Sequence, residues 1–370
     1  MKYQRILAKL GTNLLTGGSD HLNLEIMSSL VGQIARLHRQ GLEVIIVSSG
    51  AIAAGRQRLG LIKEHKDIPF KQVLAAVGQS RLMDAYDQLF GWHEITIAQT
   101  LLTRTDLSNR LSYLNARNTL LALLELSVIP IVNENDVVAI DEIQEASFGD
   151  NDTLSAMVAS LADADLLMLL TDTAGLYNAD PNRDPNARLI ERVDRIDASI
   201  ESLASASCSE RGTGGMATKI EAAKLATASG VAVVIADGRE PEVIIRLAQG
   251  DALGTYFQPT TSKLESRKRW LLSRITKGEL FIDRGAATAL REQNRSLLPA
   301  GITQAAGVFQ RGDIVSIFED EKKGKIACGI SNYSSDDIAI IKGAHSDRIM
   351  ELLGHEYGTE IVHRNNLVML

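Results

Sequence analysis

Cysteine is nearly absent: Cys208 and Cys328 are the only two in 370 residues. They form neither a metal-ligand pattern nor a disulfide framework, which fits a reduced, cytoplasmic compartment. Long apolar runs are missing too. No stretch approaches the roughly 18 residues that a membrane helix needs. The N-terminus is too polar for a signal peptide, and Lys9 interrupts its short apolar run. A basic excess is lacking: the formal charge is −7, which argues against a protein held to nucleic acid mainly by electrostatics. There is no internal repeat and no low-complexity tract. What remains is ordinary for a soluble globular chain, with 45% hydrophobic and 23% charged residues. A sizeable core is expected, and the length suggests about two domains.

A P-loop is absent as well, and its nearest substitute is the most informative stretch. Residues 212–219 read GTGGMATK and lead into a helical run from Ile220 to Ser229. A glycine-rich turn lets backbone N–H groups approach an anion. The helix after it adds unpaired N–H donors and the positive end of its dipole, and Lys219 adds a full charge. The P-loop pattern puts its lysine directly after a glycine, whereas Met216, Ala217 and Thr218 intervene here. Gly212, Gly214 and Ala217 half-fit a dinucleotide pattern, but the preceding SIESLASASCSERG does not read as the required strand. Taken alone, the stretch serves equally well as a phosphate site or as a plain surface turn.

The rest of the chain alternates short apolar strands with helices. Residues 5–12 predict a buried strand ending around Lys9 to Thr12. A lysine there is costly unless it meets an anion or snorkels from the strand end. Residues 24–40 predict an amphipathic helix built on Leu24, Met27, Leu30, Val31, Ile34 and Leu37, stopped by Gly41. Residues 43–51 predict a second strand running into Ser48, Ser49 and Gly50 before a helix. Residues 71–90 predict a helix with Val73, Leu74, Val77, Leu82 and Leu89 inward. A strand near 95–102 and a helix from Ser112 to Leu126 follow. Residues 128–136 predict a strand ending in Asn133, Glu134, Asn135 and Asp136, with an acidic loop over 137–147. Then FGDND at 148–152 opens the helix TLSAMVASLA; one of these residues serves as N-cap, which does not account for the whole cluster. Residues 166–172 and 231–238 predict two more strands, the first ending in Thr171 and Asp172. Such alternation argues for a parallel sheet covered on both faces. Ligands bind at the carboxyl ends of such strands, where Lys9, Ser49, the NEND run, Thr171 and Asp172 all fall.

A boundary falls near 256–275, where Pro259 to Ser262 precede the basic, polar KLESRKRW. We expect a first domain over 1–258, a linker over 259–275 and a small β-rich domain over 276–370. ELFID, VFQRGDIVSIFE and KIACGIS are the strands of that last domain. It holds 11 Lys+Arg against 13 Asp+Glu, a poor footprint for RNA.

Taken together, KLGT at 9–12, SSGAIAAG at 48–55, LLAAVGQSRLM near 74–83, NEND at 133–136, GDND at 149–152, LLTDxxGLY at 170–177 and GTGGMATK at 212–219 resemble the glutamate 5-kinases, over essentially the whole chain. KLGT and GTGGM fit the wider amino-acid kinase family; the NEND and GDND pair is more specific. The last domain resembles a PUA domain, an RNA-binding module elsewhere. Ser48 stands where many relatives have threonine. The resemblance implies an amino-acid kinase-type three-layer α/β sandwich with a mainly parallel sheet. It implies ATP and Mg2+ as cofactors, transfer of the γ-phosphoryl group to the side-chain carboxylate of L-glutamate, feedback inhibition by proline, and a homo-oligomer, dimer or tetramer. A glutamate-5-semialdehyde dehydrogenase is the expected consumer of the product. Neither a membrane nor a nucleic acid is an expected partner, and no protein metal ligands are assigned.

Carried residue by residue, the resemblance puts Lys9, Lys219 and Asp152 in catalysis, with Asp152 organising the two lysines. Lys9, Thr171, Asp172 and the run Thr213, Gly214, Gly215, Met216, Ala217, Thr218, Lys219 match nucleotide-binding positions, and Gly11 and Gly50 let the backbone approach the phosphates. Among glutamate contacts, Ser49, Asp136 and Asn151 match the family's substrate-binding positions, and Asn135 and Asp150 are added on the chemistry of the substrate. The chemistry fits these types: acidic groups such as Asp136 and Asp150 meet an ammonium, and amides such as Asn135 and Asn151 donate to an α-carboxylate. A carboxylate acceptor is already ionised at neutral pH, so the lack of an obvious catalytic histidine agrees with it. The alternatives are a kinase of the same fold acting on acetylglutamate, aspartate, carbamate or UMP, an RNA-binding protein working through its last domain, and a nicotinamide-dependent dehydrogenase. An N-acetylated acceptor has no ammonium to pair with the acidic groups, and the glycine pattern is misplaced for a dehydrogenase.

Overall fold

The structure is a computed structural model that describes residues 2–60, 67–139, 151–181, 183–206, 215–265, 276–319 and 324–370. It divides into two units. One is Met1–Ser108 with Asn115–Lys263, and the other is Asn109–Leu114 with Leu264–Leu370.

The first unit is built on eight strands: β1 (Arg5–Leu10), β2 (Glu43–Ser48), β3 (Ile97–Leu102), β4 (Ile129–Glu134), β5 (Leu166–Thr171), β6 (Arg192–Val193), β7 (Ala232–Asp237) and β8 (Thr255–Phe257). They lie in the order β3-β4-β2-β1-β5-β7-β8-β6. Every pair is parallel except β7 with β8. The central strands are buried along both faces, as RILAKL, EVIIVS and LLMLLT foretell. One face, carrying Ile6, Ala8, Leu10, Ile46, Met168 and Val234, packs against α1 (Thr12–Thr16), α2 (Leu24–Arg39), α4 (Ile68–Gly91) and the helix Val243–Gln249. The opposite face, with Leu7, Ile45, Val47, Leu167, Leu169 and Ile235, is also buried, so the sheet is the middle of three layers. The sheet is therefore mainly parallel and of the helix–sheet–helix kind the sequence implied.

The chain lays β2, β3 and β4 on one side of β1, then crosses to place β5 and β7 on the other. Strand order thus reverses between β1 and β5, and sheets of this kind bind ligands at such a reversal, outside the carboxyl ends of the strands. Two turns lie at these ends. Gly11 follows β1 and caps α1, and Gly50 follows β2 and caps α3 (Ala51–Leu59). Gly50 has φ +97°, a conformation that side chains avoid, so the strand-to-helix turn at Ser49 depends on it.

Several boundaries differ from the sequence reading. The first strand stops at Leu10, because Gly11 turns the chain and Thr12 begins a helix. The helix after the glycine run starts at Met216, not Ile220: Gly215 is the extended N-cap, and Met216 to Lys219 form the first turn. In α4 the inward stripe is Leu74, Ala75, Gly78, Leu82, Tyr86, Leu89 and Phe90. Val73 is 50% exposed and Val77 is only partly covered. They sit about 100° round the helix from the true stripe. The helices Ala198–Ala206 and Val243–Gln249 and the short β6 and β8 were not foreseen.

The second unit has a five-stranded sheet of β9 (Gly278–Ile282), β10 (Ile302–Ala306), β11 (Ile314–Phe318), β12 (Lys325–Ile330) and β13 (Leu367–Met369), ordered β10-β9-β11-β12-β13. Leu280, Ile282, Val315, Ile317, Phe309 and Tyr333 form its core. The β-rich expectation holds, but it overlooked the helices Arg284–Gln293 and Ser335–Ile341, which Asp283 and a Ser334–Asp337 capping box begin.

Candidate active site

Lys9 is the penultimate residue of β1, in register with Val47 on one side and Leu169 on the other. It is 3% exposed, and its Nζ lies 2.6 Å from Asp152 Oδ1. Asp152 is fully buried and opens the helix Asp152–Leu161, where a carboxylate is favoured by the helix dipole. Its other oxygen, Oδ2, lies 3.1 Å from Lys219 Nζ and accepts from Thr218 Oγ1 at 3.0 Å. The same single hydroxyl hydrogen is shared with Gly215 O at 2.8 Å. Three distant segments therefore meet on one carboxylate. Lys9, Asp152 and Lys219, grouped from sequence alone, are in mutual contact through Asp152.

One residue earlier in the chain, Asn151 faces a different space. With Thr12, Ser49, Gly50, Ala51, Asn133 and Asp136 it lines a small cleft at the ends of β2 and β4. Asn151 Nδ2 donates to Ser48 O at 2.6 Å and to Asn133 Oδ1 at 2.7 Å. Both of its N–H bonds are thereby used inside the protein, and among the described residues its carbonyl oxygen is the group left for a ligand. Its N–H groups are therefore held within the protein in this arrangement, and the expected donation to an α-carboxylate is not seen in these contacts. Asn135 does not line the cleft, and its backbone N–H closes on Leu102 O.

Thr171 ends β5 and Asp172 follows it, at the same carboxyl edge of the sheet. Thr171 Oγ1 donates to Asp172 Oδ1, and Asn13 Nδ2 donates to Asp172 Oδ2, each at 3.1 Å. Arg239 Nη2 donates to Asp172 O at 2.7 Å and grips Asp237 with Nε and Nη2. Burial pushes the Asp237 carboxyl up, but the Arg239 guanidinium and backbone N–H outweigh it and hold the group below its ordinary value. Asp150, Thr213 and Gly214 lie outside the described residues.

Sequence reasoning singled out neither Asn133, Thr12, Asn13 nor Arg239 as site residues. Asn133 stood inside NEND and Thr12 inside KLGT, so position at a strand end was available as a signal. Arg239 follows β7 by two residues, and nothing in ADGRE marks it out.

Residues 4–237 match the amino acid kinase family. The chain belongs to that family, among its glutamate 5-kinases. Residues 278–353 match the PUA domain, so the second unit carries one. A relative from Dehalococcoides mccartyi strain ATCC BAA-2266, named glutamate 5-kinase, is 58% identical over 100% of this chain and 99% of its own length. One of the same name from Herpetosiphon aurantiacus is 50% identical over 99% of this chain and 98% of its own. The solved UMP kinase from Bacillus anthracis is 15% identical, with a TM-score of 0.48, over 70% of this chain and 98% of its own.

Proposed function

We propose that the chain transfers the γ-phosphoryl group of ATP to the side-chain carboxylate of L-glutamate, giving L-glutamyl 5-phosphate and ADP, the first step of proline biosynthesis. One observation carries the reading. Asp152 contacts both Lys9 and Lys219, while the residue before it lines a cleft with Ser49 and Asp136. A pair of lysines and a small polar cleft are thus one peptide unit apart.

The reaction needs alignment and charge neutralisation more than covalent help. A carboxylate oxygen of glutamate attacks the γ-phosphorus, and the bond to the bridging oxygen breaks with its electron pair leaving on ADP. The acceptor has a reference pKa of about 4.3, so no base has to remove a proton. Lys9 and Lys219 stand against the transferring group, and Asp152 holds their spacing. Asp136 and the Asn151 carbonyl oxygen suit the ammonium of glutamate. Ser49 and the backbone N–H groups that open α3 suit its α-carboxylate. Gly11, Gly50, Thr171, Asp172 and the segment Thr213 to Lys219 are assigned to the nucleotide.

Among the described residues, no three His, Cys, Asp or Glu side chains gather as a metal cluster. Mg2+ is ordinarily held by one or two carboxylates with phosphates and water, so the site suits an ion carried in on the nucleotide. When bound, it neutralises phosphate charge.

The same reading includes inhibition by proline, a homo-oligomer in the cytoplasm, and delivery of the acyl phosphate to a glutamate-5-semialdehyde dehydrogenase. It also takes 1–258 as the kinase domain, 259–275 as linker and 276–370 as the PUA-like domain, with no nucleic acid as partner. The test is ADP release with Mg–ATP and L-glutamate, trapping the acyl phosphate with hydroxylamine, beside aspartate, N-acetylglutamate and UMP. Glutamate-dependent ADP with hydroxamate is expected. Turnover with another acceptor alone overturns the assignment.

A further inference from the structure

Helix α4 lines neither half of the site, yet it touches the acceptor side three times at seven-residue intervals. Gln72 Nε2 donates to Asp136 O and Val137 O, each at 3.2 Å. Gln79 Oε1 accepts from Asn133 Nδ2 at 2.7 Å. The Tyr86 hydroxyl meets Ser48 Oγ at 2.9 Å, fully buried. Seven residues turn a helix through about 700°, some 20° short of two turns, so the three side chains form one polar row.

The row is clamped in place. A Cβ on Gly78 would lie 1.7 Å from Ala51 O, and one on Gly55 would lie 1.9 Å from Leu74 O. The backbones of α3 and α4 therefore touch at the point where α3 begins the cleft wall.

The amide orientations follow from two fixed backbone groups. Glu134 N–H donates to Asn133 Oδ1 at 2.9 Å, which fixes that oxygen and turns Asn133 Nδ2 toward Gln79. The Ser48 carbonyl accepts from Asn151 Nδ2, which fixes that amide. Asn133 Oδ1 then takes the second N–H of Asn151, and the Asn151 carbonyl oxygen is left for the cleft. Asn133 Nδ2 needs an acceptor, and among the described residues Gln79 Oε1 supplies one.

We propose that Gln79 is a positioning residue for the acceptor cleft, acting through Asn133 on Asn151, so that α4 sets acceptor affinity without touching the acceptor. This rests on the reading of the cleft as the acceptor site. Gln79→Met keeps the length and removes the acceptor oxygen, and Gln79→Glu restores it. In Gln79→Met we expect the glutamate KM to rise about tenfold, matching loss of about 1.4 kcal/mol, the size of one hydrogen bond. The ATP KM and kcat stay within about threefold, and Gln79→Glu recovers most of the loss. A glutamate KM within twofold of wild type, an equal change in both KM values and kcat, or a Gln79→Glu no better than Gln79→Met overturns the proposal.

If the wild type uses another acceptor, the functional reading fails and Gln79 is scored on that acceptor's KM. If it uses none, the side-chain amide of Asn151 is read directly by NMR. Faster hydrogen exchange of its NH2 protons in Gln79→Met supports the relay, and an unchanged rate overturns it.

Discussion

Replacing Asp152 by asparagine tests the centre of the site, because it alters charge while keeping shape. Asp152 lies 2.6 Å from one ammonium and 3.1 Å from another, and all three groups are buried. At an effective dielectric near 20, the gross attractions are about 6 and about 5 kcal/mol, most of it cancelled by desolvation of the ions. What the substitution leaves behind decides the outcome. Asparagine has one acceptor oxygen for two ammonium groups, and its NH2 must face a donor. Breaking a buried pair from one side costs about 3–5 kcal/mol. In a domain of this size that is a fall in Tm of roughly 6–20 °C. Catalysis suffers separately, since displacement of an aligned cation by about 1 Å costs about a hundredfold in kcat. The assay is a thermal melt followed by ADP release and hydroxamate formation, well below the new Tm. An Asp152→Asn protein with Tm within 1 °C of wild type and kcat within threefold would refute the claim that this carboxylate spaces the two lysines.

Three further outcomes follow from other contacts. Lys219→Ala is expected to lower kcat by about a hundredfold or more with little change in glutamate KM, while Asp136→Ala raises glutamate KM about tenfold or more with a smaller kcat loss. Equal kcat losses in both with KM unchanged refute this division. Gly78→Ala puts a methyl against the α3 backbone, and overpacking of this kind costs about 1–3 kcal/mol, so a denaturant midpoint equal to wild type would contradict the contact. For Asp165, burial pushes its carboxyl up, but Lys263 and the N–H groups of Arg5 and Gln4 outweigh it and hold it below its ordinary value. A depressed folded pKa stabilises above the unfolded value of about 3.9 and loses that contribution as pH falls through the folded value. Asp165→Asn should therefore melt below wild type at pH 6, and the gap should narrow steadily as pH falls below the unfolded value of about 3.9; a gap that does not narrow in acid rejects the electrostatic account.

The legible parts of this protein are those in which one local rule dominates. RILAKL and LLMLLT are apolar without alternation, and only a strand buried on both faces uses such a run. Polar residues at the ends of such runs then pointed to the carboxyl edge of the sheet before any contact was known. The contacts themselves were not legible. Nothing in VLAAVGQS says that Gln79 reaches Asn133, 54 residues away, because the approach is permitted by two glycines on different helices. Val73 and Val77 were misread for a related reason. Periodicity gives the spacing of an apolar stripe, whereas the α3 backbone chooses which stripe of α4 is inward. The start of the helix at Met216 was hidden because a glycine before a helix reads as loop, whereas Gly215 is the helix N-cap.

The division of the site at residues 151 and 152 has a mechanistic consequence. Consecutive residues project about 100° apart around a helix, so one N-terminal turn points Asn151 at the cleft and Asp152 at the lysines. Their Cα atoms are fixed about 3.8 Å apart by a trans peptide bond. Acceptor and phosphoryl donor must come within about 3.5 Å for in-line attack, and this turn ties the two subsites together on that scale. The cleft wall is tied in turn to α4 through Asn133, and the lysines are tied to two different elements, β1 and the helix from Met216. On the proposed assignment, a different acceptor would be accommodated by changing Ser49, Asp136 or the α4 row, with Asp152 and the lysines left alone. An exchange at Asp152 would, by contrast, disturb transfer to every acceptor.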